Sequence, residues 1–455
     1  MENIKLMEVV KAVDGKLICH GSKESFSKVV IDSRKVTIGD IFVAIKGENF
    51  DGHNFIRDVC EKGAGLCIVH KEQDYSAFEG ETAIVLVKDT KKALLDLAAY
   101  YISTLDIKVV GITGSTGKTS TKDLIAAALS KKYKVYKTQG NFNNDIGMPL
   151  MIFNLDRSYE VAVLEMGMSN LGEIETLAKV AKPQIGVITN VGTSHLENLK
   201  TRENILKAKM EITTEFGKDN ILIVNGDNDF LSDIESNQYK IVKIGIEHDY
   251  NFKASGIIIN RESIEFEVID RETGKGTSIM VPVPGIHNVL NSLLAIAVAR
   301  NLNVSYEEIK EGIKELESTS MRLDVVNCEG FTVINDSYNA SPDSMEAALD
   351  VLKSYEGRRI AVFGTMRELG DSSVKAHESV GRYAKTSGIS RLYTLGEYNE
   401  EYKKGFGVDK CFSYDDMDKL ICDLKNEIKT GDVVLVKASR SMKFENVVKE
   451  LQRNN

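Results

Sequence analysis

The stretch "IKVVGITGSTGKTSTKDLIAAALSKKY", residues 107–133, constrains the fold more than any other part of the chain. It opens with an apolar run that reads as a strand and passes through a glycine-rich turn. It continues as a helix with Leu124, Ile125, Ala128 and Leu129 on one stripe. At such a strand-to-helix turn the backbone N–H groups converge on one point, and the helix dipole favours an anion there. Gly114, Ser115, Thr116 and Gly117 form the turn and Ser120 continues it into the helix. Lys118 brings a point charge suited to β- and γ-phosphates, and Thr119 a hydroxyl suited to Mg²⁺. The common phosphate-loop spacing, G-x-x-x-x-G-K-[ST], would put its first glycine at position 112, but Ile112 stands there and the glycine is Gly111. Gly114 can instead let the backbone turn back over the phosphates. The alternative is a glycine-rich turn carrying a chance Gly-Lys-Thr.

Around this unit the chain of 455 residues divides into three textures. Residues 1–88 hold short β-like runs ("KVVIDSR", "DIFVAIKG", "GLCIVHK", "TAIVLVKD") between charged turns and predict a small α/β domain. Residues 89–316 alternate apolar strands with helical patterns, as in "EVAVLEMG", "QIGVITNV" and "NILIVNGD". Such continuous apolar runs suit parallel strands covered on both faces. Within this region, 252–284 changes to a β-meander pattern, expected on one edge of the sheet. Residues 317–455 restart the alternation ("FTVINDSY", "RRIAVFGTM", "RLYTLG", "DVVLVKAS") and predict a second doubly wound domain, with a hinge at 317–322. The fold class is therefore α/β in three domains.

Fifty-eight basic against 67 acidic side chains give a net charge of −9, which argues against a general nucleic-acid or membrane-surface binder. An anionic ligand then needs a locally basic pocket. The six cysteines show no C-x-x-C pair or zinc spacing and read as thiols of a reducing compartment. "MENIKLMEVVKAVDGKL" does not read as a signal peptide, and no uncharged apolar run reaches the roughly 20 residues of a membrane span. A cytoplasmic location is expected.

A phosphate loop needs an acidic partner on a neighbouring strand. Glu165 ends the apolar run "VAVLE", at the carboxyl end of a strand where α/β ligands bind. His195 closes the polar run "NVGTSH" and is a candidate metal ligand, although a lone loop histidine is as readily just solvated. Taken together, "GITGSTGKTST", "NFNNDIGMP", "LEMGM", "ITNVGTSHLE" and "KAKMEI" resemble the ATP-dependent Mur ligase family of cell-wall synthesis, over essentially the whole chain. In that family the shifted glycine is normal.

The resemblance implies an enzyme that activates a carboxylate as an acyl phosphate with ATP and Mg²⁺, then joins it to an amine. It implies one Mg²⁺ held by Thr119 and Glu165, and a second near His195, Glu165 and a carbamylated lysine. By position the lysine is Lys209, with Lys207 as its neighbour. Asn288 and Asn291 would approach the adenine, Arg322 the phosphate and Asp336 the ribose, while Tyr338, Asn339 and Ser341 would line the same cleft. Ser33, Arg34 and the "KGENFDGH" loop beginning at Lys46 would bind a uridine nucleotide, and Asn143 and Asn144 the growing peptide. The chain has no "DNPR", whereas "FGTMRELGDSS" and "VLVKASRSMKFE" resemble the members that add D-alanyl-D-alanine. UDP-N-acetylmuramoyl-tripeptide and D-alanyl-D-alanine are the implied substrates, and a monomer is expected. Two rivals stay open: a ligase for a different amine, and a non-catalytic nucleotide-dependent binding module.

Overall fold

A computed structural model describes residues 1–316 and 320–453, so 317–319 of the expected hinge lie outside the described residues. The chain builds three α/β units, each around its own main sheet, as its texture predicts. In the N-terminal unit five strands lie in the order Lys16–Cys19, Ala83–Leu86, Leu66–Val69, Ile41–Val43, Val29–Val30. The first pair is antiparallel and the rest are parallel.

The central sheet has nine strands. Seven of them run parallel, from Val135–Lys137 at one edge through Val161–Glu165, Lys108–Thr113, Ile185–Ile188, Ile221–Asn225 and Lys240–Gly245 to Phe252–Ile259. The meander then extends the other edge, where Ile264–Asp270 and Lys275–Val281 pair antiparallel. Its strands alternate buried and exposed residues, because only one face of this part is covered. Lys108–Thr113 is flanked by Val161–Glu165 and Ile185–Ile188, with Glu165 opposite Ile112 and Ile188 opposite Thr113. The carboxyl ends of three adjacent strands therefore deliver the glycine loop, Glu165 and the 189–195 segment to one place.

Helix Lys118–Leu129 buries the stripe Leu124, Ile125, Ala128 and Leu129 against helix Ile286–Asn301 and the sheet. Ile286–Asn301 is buried on almost every side, as a helix packed between a sheet and two further helices must be. Helix Thr90–Ser103 joins two units. Asp89 caps it by accepting from the Lys91 and Lys92 amides, and it packs between helix Leu6–Ala12 and the helices Gly147–Ile152 and Glu173–Ala181. One apolar core thus runs from the N-terminal into the central unit.

The C-terminal sheet has six strands ordered Asp324–Asn327, Thr332–Asn335, Val433–Lys437, Arg359–Gly364, Arg391–Leu395, Cys411–Tyr414, parallel except for the first pair. Among the described residues no helix is long and apolar enough to cross a membrane. All six cysteines are free thiols.

Candidate active site

The glycine loop is held from behind by the segment that follows strand Ile185–Ile188. Thr189 Oγ1 donates to the Thr116 carbonyl at 2.5 Å, and Asn190 Oδ1 accepts from the Thr116 amide at 2.9 Å. The Ser115 hydroxyl accepts from the Gly192 amide at 2.9 Å. Gly114 is required here, since a Cβ on it would lie 1.8 Å from Thr189 Oγ1. Gly117 takes a left-handed φ of 79° and caps helix Lys118–Leu129, a conformation that favours glycine. Asn190 and Thr189 were not singled out by sequence reasoning, because their contribution is to brace another loop and shows only in three dimensions.

Lys118 Nζ donates to the Gly114 carbonyl at 2.8 Å, folding its ammonium back over the loop. Desolvation lowers its pKa, with Glu165 pulling the other way. Thr119 Oγ1 donates to Glu165 Oε2 at 3.0 Å and accepts from Arg322 Nη2 at 3.0 Å. The other Glu165 oxygen accepts from Asn143 Nδ2 at 3.0 Å. Arg322 comes from the C-terminal unit and lies 4.3 Å from the Tyr338 ring centroid, with Arg440 at 5.9 Å from the same ring. The aromatic face thus gathers two guanidinium groups beside the glycine loop.

These groups line one cavity of about 880 Å³ between the central and C-terminal units, from Lys91 on helix Thr90–Ser103 to Arg440. Ser115, Thr116, Gly117, Lys118, Thr119, Ser120, Asn143, Asn144, Glu165, His195, Asn288, Asn291, Arg322, Asp336, Tyr338, Asn339 and Ser341 all border it. Gly114 is not among the lining residues, and its carbonyl accepts from Lys118. Lys209 does not border it, nor do Ser33, Arg34 and Lys46, which sit on the N-terminal unit. Arg34 is exposed and paired with Asp32 at 2.8 Å.

Several polar groups are already engaged inside the protein. Asn288 Nδ2 donates to the Pro284 carbonyl, and Asn291 donates to Asn288 while accepting from Thr121. Asn144 Oδ1 accepts from the Ile146 and Gly147 amides at the start of helix Gly147–Ile152. Ser341 caps helix Pro342–Lys353. Asp336 accepts from the Leu323 amide at 3.3 Å and from Lys437 Nζ at 2.5 Å, and Lys437 also reaches the Asn339 carbonyl at 2.9 Å. Lys437 is a buried lysine at the end of strand Val433–Lys437, and burial lowers its pKa against the pull of Asp336.

His195 takes a left-handed φ of 65° at the start of the short helix Leu196–Leu199. Its Nδ1 is 2.6 Å from Glu368 Oε2, an ion-pair distance, though the carboxylate stands off the ring N–H direction and the contact falls short of an aligned hydrogen bond. Lys209, on helix Arg202–Met210, is 1% exposed, while Lys207 on the same helix is exposed. Burial, with Lys118 nearby, pushes the Lys209 ammonium well below the ordinary lysine value. Among the described residues no carboxylate forms an ion pair with it.

Mg²⁺ prefers oxygen donors and commonly takes one or two carboxylates with substrate phosphates and water. Thr119 and Glu165, whose side-chain oxygens are 3.0 Å apart beside the glycine loop, fit that need. Among the described residues no group of three or more His, Cys, Asp or Glu is placed to hold a metal ion.

Three sequence profiles match the chain: the Mur ligase family catalytic domain over 25–102, the Mur ligase middle domain over 112–299, and the Mur ligase glutamate ligase domain over 321–440. The UDP-N-acetylmuramoyl-tripeptide–D-alanyl-D-alanine ligase of Bacillus subtilis is 38% identical over 430 residues, covering 93% of this chain and 92% of its own. The Escherichia coli enzyme of the same description is 34% identical over 460 residues, covering 100% and 99%. Among solved structures, MurF from Acinetobacter baumannii superposes with a TM-score of 0.93 at 31% identity, covering 100% of this chain and 99% of that one. MurF ligase from Thermotoga maritima in complex with ADP gives 0.84 at 31% identity, covering 94% and 98%. With its three sheets, its glycine loop and these full-length likenesses, the chain belongs to the Mur ligase family.

Proposed function

We propose that this chain is a cytoplasmic, monomeric enzyme that uses ATP and Mg²⁺ to join D-alanyl-D-alanine to UDP-N-acetylmuramoyl-tripeptide, releasing ADP and phosphate. The observation that carries the choice of substrates is the 38% identity, along 93% of the chain, to a ligase of that description. The chemistry asks for what the cleft contains. A carboxylate is a poor electrophile, so one of its oxygens attacks the γ-phosphate, the bond to ADP breaks, and the resulting acyl phosphate carries a good leaving group. The amine then attacks the carbonyl carbon and phosphate departs. Both steps crowd anions together, so charge neutralisation and positioning dominate.

Lys118, Arg322 and Arg440 are among the cations that border the cleft, with Lys91 and Lys437. In this reading Lys118 leaves the Gly114 carbonyl for the phosphates, and Asn288, Asn291 and Asp336 hold the adenosine end. Thr119 and Glu165 would hold Mg²⁺, which supplies charge neutralisation for the transferring phosphoryl group. Ser33, Arg34 and Lys46 take the uridine nucleotide, and Asn143, Asn144, Tyr338, Asn339 and Ser341 line the path of the peptide. A carbamate on Lys209, together with His195, would supply oxygen and nitrogen donors to a second Mg²⁺. The burial of Lys209 supports this, because desolvation favours the neutral amine over the ammonium and the neutral amine is the form that reacts with CO₂.

The test is incubation of the protein with ATP, Mg²⁺, UDP-N-acetylmuramoyl-tripeptide and D-alanyl-D-alanine, followed by product mass. The expected product is the pentapeptide conjugate. A panel of amino acids and dipeptides in an ADP-release assay would expose a different amine, and substrate-independent ATP turnover would point to a binding module instead.

A further inference from the structure

Glu368 stands at the apex of a loop whose two ends are anchored in the C-terminal core. Met366 and Leu369 are buried, the Met366 amide donates to His377 Nε2 at 2.9 Å, and the Arg367 amide donates to Ser439 Oγ at 2.8 Å. Between these anchors Glu368 takes a left-handed φ of 67° and projects a side chain that remains 56% exposed. On the facing surface of the central unit His195 is left-handed too, with a φ of 65°. Two non-glycine residues in an unfavourable backbone region thus meet across the seam between units, a pattern that accompanies functional positioning. The meeting has two parts: Glu368 Oε2 lies 2.6 Å from His195 Nδ1, and the Glu197 amide donates to the Glu368 carbonyl at 3.2 Å. Among the described residues Glu368 is the one carboxylate at ion-pair distance from this ring.

A neutral imidazole has one N–H and one lone pair, and the partner of one nitrogen decides what the other offers. Histidines that bind metals commonly give their second N–H to a carboxylate, which fixes both tautomer and ring orientation. We propose that Glu368 is a positioning residue of this kind. Carried in by the C-terminal unit, it takes the Nδ1 proton of His195 and leaves Nε2 with the lone pair, so that His195 becomes a competent ligand only when the units are docked. The inference rests on the assignment of His195 to a metal site under the proposed function. It goes further by making that site depend on a residue of another domain.

The experiment uses full-length protein labelled with ¹⁵N at histidine, in EDTA with and without ADP, at about pH 8, above the ordinary histidine range. His195 is assigned through His195→Gln, and two-bond ¹H–¹⁵N spectra report its tautomer. The wild type should show the Nδ1–H form in at least one of these conditions. Glu368→Ala should shift His195 toward Nε2–H, and Glu368→Gln should retain Nδ1–H, because its amide oxygen still accepts. In ligation assays Glu368→Ala should raise the Mg²⁺ concentration for half-maximal rate by about 10–100-fold, with Glu368→Gln recovering most of the loss. An identical His195 tautomer in wild type and Glu368→Ala under both conditions overturns the proposal, as does an identical Mg²⁺ response in all three proteins. The spectra require neither substrate nor turnover. A wild type that ligates nothing would therefore sink the ligase reading while leaving the tautomer result to decide the role of Glu368.

Discussion

Lys118 lies close enough to disfavour the charge on Lys209, yet the protein treats the two lysines differently. Lys118 has an acceptor in the Gly114 carbonyl at 2.8 Å and feels Glu165, so its charge is supported and ready for phosphate. Among the described residues Lys209 has neither, and burial pushes it well below its ordinary value of 10.5. A buried lysine that merely packed would be as well served by leucine or methionine, so its amine points to chemistry. Lys118→Ala should lower the ligation rate by a factor on the order of 10²–10³ or more, since a preorganised charge on the transferring group is lost. A wild-type rate from the purified variant would remove the phosphate-loop assignment. Lys209→Ala should lose most activity, acetate or formate should restore part of it, and Lys207→Ala should retain far more. A carbamate carbon signal should appear by NMR after equilibration with ¹³C-labelled bicarbonate. Its absence from active enzyme, with Lys209→Ala working normally, would leave Lys209 without that role.

At the scale of elements, helix Lys118–Leu129 ties stability to the site, because the residues that fill the core and those that face the cleft alternate around one turn. Leu124 borders the cleft and is fully packed against the core, so Leu124→Ala should cost about 2–5 kcal/mol in urea unfolding. Helix Ser373–Thr386 carries a second test. His377 is buried, accepts from the Met366 amide through Nε2, and has its pKa lowered from 6.5 chiefly by burial. As pH falls below about 6.5 the unfolded chain takes up this proton before the folded one, so stability falls until the folded pKa is passed. The urea midpoint should therefore drop as the pH falls below about 6.5, and His377→Gln should flatten that slope; an unchanged slope would rule His377 out as its source. Long apolar strands such as Lys108–Thr113 and Val161–Glu165 were plain in the sequence because both their faces are buried. Val135–Lys137 and Cys411–Tyr414 were not, being short edge strands whose partly exposed residues lack a continuous apolar run. Asp324–Asn327 escaped for the same reason, and its pairing with Thr332–Asn335 is visible only in the folded sheet.

At the scale of the whole molecule, the residues that sequence reasoning could find were those whose chemistry is written locally: a lysine and threonine after a glycine turn, a glutamate ending a strand. Glu368 and Lys437 were missed because each acts on a residue far along the chain, His195 in one case and Asp336 in the other. The contacts across the central and C-terminal units include a polar set at the cleft and a second set where Arg261 meets Tyr355 and Glu356. Arg322 reaches Thr119 at 3.0 Å, Glu368 reaches His195, and Asp343 accepts from the Thr193 amide at 3.3 Å. An interface of this kind, without a large apolar core, permits relative domain motion and is strengthened by a ligand that touches both sides. Arg322 also donates to the Thr119 hydroxyl, which the proposed Mg²⁺ would take over, so on that proposal nucleotide would redirect the arginine to phosphate as the units close. Small-angle scattering should therefore show compaction on saturation with an ATP analogue, Mg²⁺ and both substrates. Arg322→Ala should weaken that compaction, because the C-terminal unit loses its grip on the phosphates, and should raise the KM for ATP. An unchanged radius of gyration in the wild type under saturation would mean that the two units stay in one arrangement, and that Arg322 finds the nucleotide by side-chain motion alone.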